Sequence, residues 1–119
     1  MMAILCTDGQ LKLKEVEQEC VNQKWIPLLT FKYEKDESIY LPIFSIEDTA
    51  KSFIKRNLPR SWTHAGIYLS DHDFLVIEQK GWKLEHFSFP RKISDLPDVH
   101  LSFEIHEFVD KPDYKVGRL

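Results

Sequence analysis

Val99-His100-Leu101-Ser102-Phe103-Glu104-Ile105-His106 is the stretch on which the fold turns. Val99, Leu101, Phe103 and Ile105 alternate with His100, Ser102, Glu104 and His106, so every second side chain is apolar. Successive side chains of a strand point to opposite faces, and a period of two predicts one buried and one solvated face. An antiparallel strand lying on a core from one side has this pattern.

Further strands are predicted upstream. Lys80-Gly81 turns the chain into a strand over residues 82–89. Asp71-His72-Asp73 reads as the turn of a hairpin joining residues 64–69 to 74–78, because Asp satisfies the backbone of turns with its own side chain. Residues 25–33 and 39–44 are rich in β-branched, aromatic and aliphatic types, with Glu34-Lys35-Asp36-Glu37-Ser38 between them. They predict a hairpin with a longer loop. Pro27 and Pro42 each remove a ladder donor, which puts these strands at an edge or at their own beginning.

Two helices accompany the strands. In Ser45-Ile46-Glu47-Asp48 the serine is placed to cap the backbone at Asp48, whose carboxylate complements the positive end of a helix. Ile46, Ala50, Phe53, Ile54 and Leu58 mark its apolar face, and Pro59 stops it. Nearer the start, Leu13, Val16 and Cys20 recur at helical spacing, with Asp8 as a cap. This favours a strand over residues 3–6 followed by a helix from about Leu11 to Asn22. The alternative stays open there, since Asp8-Gly9 is also a hairpin signal and residues 10–14 alternate like a strand. The sum is an α+β fold: a mostly antiparallel β-sheet with two amphipathic helices packed on one face, in two layers. Residues 1–109 form one domain and 110–119 an exposed C-terminal tail.

A chain of 119 residues, 43% hydrophobic and 29% charged, can bury a core without metals or disulfides. The net charge of −3 argues against non-specific nucleic-acid binding, which needs a basic field. Cys6 and Cys20 allow one disulfide, but two isolated cysteines read as small buried hydrophobes in a reducing compartment. No apolar run approaches a membrane span. Residues 1–6 lack the basic flank and long apolar region of a secretion signal, so a cytoplasmic location is expected.

Four constellations are candidates for chemistry or binding. On the polar row His100, Ser102, Glu104, His106, two imidazoles and a carboxylate offer metal ligands or a base with its orienting acid. Yet His100 and His106 lie about 20 Å apart along a strand, so one ion would need His86 or His64 from a neighbour. A solvated sheet face or a dimer surface explains the row more simply. Asp71-His72-Asp73 offers oxygen ligands, but a loop accounts for it. Lys51, Lys55, Arg56 and Arg60 with Trp62 would suit phosphates and a stacked base, whereas Glu47 one turn before Lys51 makes it an ordinary solvated helix face. Trp25, Trp62, Tyr68 and Trp82 are residues favoured at hot spots and in ligand pockets, and equally at home in cores. No GxSxG, HExxH or phosphate-cradling loop occurs. No cofactor and no metal are expected.

Trp25-Ile26-Pro27-Leu28-Leu29 and Ile39-Tyr40-Leu41-Pro42-Ile43-Phe44-Ser45 resemble SseB-like domains. Those carry a strand with a proline, then a strand ending Pro-hydrophobic-Phe-Ser/Thr, then an acidic-capped helix. Glu47, Asp48 and Phe53 fit that helix, and the resemblance covers residues 25–58. It implies a small non-enzymatic α+β module and transfers no catalytic residue. The function expected is a protein-interaction or self-associating module, acting as a homo-oligomer or with a protein partner. The alternative is a small-molecule binder with an aromatic-lined pocket for an apolar ligand. A third reading is an enzyme using His100, Glu104 and His106 with a histidine from an adjacent strand.

Overall fold

A computed structural model describes residues 1–10, 12–23, 25–87, 99–107 and 113–115. In chain order these form β1 (Met2–Thr7), α1 (Leu13–Gln23), β2 (Trp25–Tyr33), β3 (Tyr40–Phe44), α2 (Glu47–Asn57) and β4 (Thr63–Tyr68). They continue as α3 (Asp71–Gln79), β5 (Lys83–Phe87), β6 (Val99–Glu107) and β7 (Asp113–Lys115). The side chain of Cys20, residues 88–89 of the expected strand and the loop with Pro90 and Pro97 lie outside the described residues. So does the tail apart from β7, which pairs with β4 through Gly66↔Lys115, Ile67↔Tyr114 and Tyr68↔Asp113.

The seven strands make one mixed sheet running β5-β3-β2-β1-β4-β7, with β6 on β2. All pairings are antiparallel except β3 with β5. β6 lies along the whole of β2, from Trp25↔Glu107 to Tyr33↔Val99. The other edge of β2 is shared, by β1 at Leu5↔Leu28 and by β3 at Phe31↔Tyr40. The α+β class and the β2–β3 hairpin are as the sequence predicts. The prolines are not at an edge: β2 and β3 both lie inside the sheet. A proline forfeits only its own donor, and the rest of the ladder still pairs, as β6 does along the whole of β2.

Alternation along β1 explains the core. Ala3 and Leu5 join Leu28, Val16 of α1, and Phe74 and Ile77 of α3 in one cluster. Met2, Ile4 and Cys6 join Leu29 and the α2 residues Ala50, Phe53 and Ile54 in another. The expectation of two helices on one face in two layers is therefore corrected: three helices divide between both faces. Strands apolar on both faces, such as Met2-Ala3-Ile4-Leu5-Cys6, need cover on both.

α3 is the second correction, since residues 74–78 were expected to be a strand. Ser70 caps the helix by accepting from the Asp73 N–H at 3.0 Å, while Asp71 and Asp73 place negative charge in the first turn. Gly81, at φ +93°, ends it. The cap expected from Ser45 is absent: Ile46 is the N-cap of α2 and makes no side-chain cap bond. Ser45 Oγ lies instead 3.4 Å from His86 Nε2.

Candidate functional site

The capping of α3 sets up an unusual group of side chains. Because Ser70 binds the Asp73 backbone, its Oγ–H is placed to donate to Asp73 Oδ2 at 2.8 Å. Asp73 is fully buried, and its Oδ1 accepts from Nε2–H of His106 at 3.2 Å. His106 has no exposed surface either. Its other nitrogen, Nδ1, accepts from Nζ of Lys80, at the end of α3, at 3.1 Å. A carboxylate on one side and an ammonium on the other fix a neutral imidazole with its proton on Nε2. Burial holds the His106 pKa below its usual value; Asp73 raises it and Lys80 lowers it further.

Serine, aspartate and histidine here do not make a nucleophile relay. The Ser70 hydroxyl is spent on Asp73 and does not touch the ring, and both ring nitrogens are occupied. A catalytic base needs a free nitrogen within reach of a substrate. The group is better described as a staple that fixes the end of β6 to α3. It also corrects the expectation of a solvated polar row on β6: His100 is exposed and Glu104 half-buried, but His106 is sealed under α3 while Ile105 is 47% exposed.

The remaining candidates disperse. Trp62 rests edge-on against Phe103, centroids 6.0 Å apart, over the α2 cluster. Trp82 is half-buried against the opposite cluster, with Lys80 Nζ 5.6 Å from its ring centre. Tyr68 is exposed at the end of β4. The row His100–His106 does not gather with His64 or His86, and no group of three potential metal ligands occurs among the described residues. Cys6 is buried without a bridge, and burial pushes its thiol up to about 12, which makes it inert. No helix among the described residues is long and apolar enough to cross a membrane.

Two concave surfaces lie beside β6. An open cleft of about 240 Å³ is lined by Trp25, Pro27, Phe103, Ile105 and Val16, with Thr7, Asp8 and Gln10 on its rim. A shallower groove of about 560 Å³ runs between His100 and the β2–β3 loop with Glu34, Asp36 and Glu37. In that loop Tyr40 Oη–H donates to Asp36 Oδ2 at 2.5 Å, and Asp36 Oδ1 accepts from the Ser38 N–H at 2.9 Å. These bonds hold Asp36 down at about 2 and push Tyr40 up to about 12.

β6 itself is the larger feature. Among the described residues it pairs only with β2, and no described strand meets the backbone groups of its outer edge along nine residues. Leu101, Phe103 and Ile105 stand beside that edge, the first two half-buried and Ile105 exposed. Sequence reasoning found this strand and its apolar row, and singled out Asp73 only within an acid-His-acid turn; it missed Lys80 and Ser70, because the second Ser-x-x-Asp box was read as a turn. Compared with protein-family models, curated proteins and solved structures, the chain matches none of them.

Proposed function

We propose that this protein is a non-enzymatic self-associating module whose two copies pair through the outer edge of β6. The observation that carries the reading is the self-complementarity of this edge. An antiparallel pair centred on Phe103 sets Phe103 against Phe103 and Leu101 against Ile105, so the apolar row continues across the join. Ser102 then faces Glu104, and no two carboxylates stand opposite one another. The second copy's Leu101 comes to the mouth of the cleft formed by Trp25, Pro27, Phe103 and Ile105. An open edge strand is a template for another strand, and a two-fold interface uses the same patch on both copies.

Sedimentation of the wild type beside Ile105→Lys and Leu75→Lys tests the reading. Leu75 is 53% exposed on α3 and serves as the control. A dimer for the wild type and Leu75→Lys, with a monomer for Ile105→Lys, is expected. A wild type that stays monomeric at high micromolar concentration would contradict it.

The cleft favours a second reading, a small apolar ligand. Trp25 and Phe103 line it, and Thr7 Oγ1 on its rim has no hydrogen-bond partner among the described residues. A ligand of the folded state raises the melting temperature, so a broad set of apolar and amphipathic compounds producing no shift removes this reading.

A further inference from the structure

Asp73, His106 and Lys80 form a row that runs from a buried carboxylate to a solvent-exposed ammonium, with one imidazole between them. We propose that this row is a proton-operated latch: neutral His106 holds Lys80, and with it the end of α3, against β6, and a proton taken up at Nδ1 expels Lys80 while the His106–Asp73 pair stays in place.

The chemistry of the two ring nitrogens carries the argument. Nδ1 is the ring's only free lone pair, and Lys80 has donors alone, so their bond exists only while Nδ1 is unprotonated. Once Nδ1 takes a proton, N–H faces N–H and two cations stand 3.1 Å apart. On the other side nothing is lost. Nε2–H still donates to Asp73, now as an ion pair, and Ser70 still holds that carboxylate through Oγ–H. The weaker partner is also the mobile one. Lys80 is exposed, follows the last residue of α3 and precedes Gly81, so its side chain has a path into water.

The charged neighbours of the ring among the described residues set the balance. Asp73 and Lys80 face it from α3, Glu107 is adjacent on β6, and Glu104 lies one step along the same row. β2 contributes Ile26 opposite the ring, which has no charge. Burial first, then Lys80, opposes charging, whereas Asp73 and Glu107 favour it. The folded protein therefore takes up this proton only below 6.5, the ordinary value. The stabilisation from the neutral form is present above 6.5 and is lost as pH falls through the lower folded value.

The test follows the His106 ring nitrogens and the Lys80 side chain of the full chain by NMR from neutral to acid pH. One transition below 6.5 is expected, with the Lys80 ammonium and methylene signals moving at the same midpoint. In Lys80→Met the His106 midpoint rises, because the opposing cation is gone. Lys80→Arg, which keeps the cation, leaves it low. Lys80 signals indifferent to the His106 titration, or an unchanged midpoint in Lys80→Met, would overturn the proposal.

Discussion

Removing one member of the buried Asp73–His106 pair strands the other away from water. His106→Ala leaves the Asp73 carboxylate with Ser70 but without its ring donor, and is expected to cost about 3–5 kcal/mol in urea unfolding. Ser70→Ala removes the α3 cap and is expected to cost about 1 kcal/mol. At the other end of the sheet, Tyr40→Phe removes the strongest influence on Asp36. Its carboxylate should then titrate closer to 3.8 than to about 2, as carboxyl ¹³C shifts would report. The stabilisation from Asp36 is present above 3.8 and is lost as pH falls through about 2, so this variant should lose less of its stability in strong acid than the wild type does. His106 was legible as a polar residue in a period-two strand and illegible as a buried one. Periodicity gives the face of a strand, but the helix that covers that face is set by tertiary packing.

Elements were legible where two signals agreed. The apolar stripe of α2 and the stop at Pro59 fixed that helix although its expected serine cap does not form. α3 had equally good ends, Ser70-x-x-Asp73 and Gly81, but the aspartates suggested a turn and Val76-Ile77 suggested a strand. The helix prevailed because Phe74 and Ile77, one turn apart, reach the same core cluster. The continuous apolar runs of β1 and β2 already implied cover on both faces, which the two-layer expectation did not weigh. Two glycines separate loop geometry from loop packing. Both have positive φ, +90° at Gly9 and +93° at Gly81. A Cβ at Gly9 would stand 2.0 Å from the carbonyl oxygen of Ser61, whereas one at Gly81 meets nothing within 4 Å. Gly81→Ala should cost about 1 kcal/mol for its backbone alone. Gly9→Ala should cost more, by at least about 1 kcal/mol, because the clash is with backbone. Parallel denaturation curves give the comparison.

For the whole molecule the proposal is that β6 has a face held from within and an edge left for a second copy. The latch at His106 anchors its far end, and the exposed Ile105 beside it marks where the apolar row leaves the core. The sheet edge could not be read from sequence, because the pairing of β6 with β2 joins residues far apart in the chain. Its self-complementarity could have been read at once, since it depends only on the order of residues about Phe103. Intermolecular NOEs in a sample mixing isotope-labelled and unlabelled chains test the pairing most directly. Contacts from Ile105 methyls of one copy to Leu101 methyls of the other, with Phe103 rings in mutual contact, are the predicted result. A monomer, or a dimer whose intermolecular contacts avoid Leu101, Phe103 and Ile105, would contradict it.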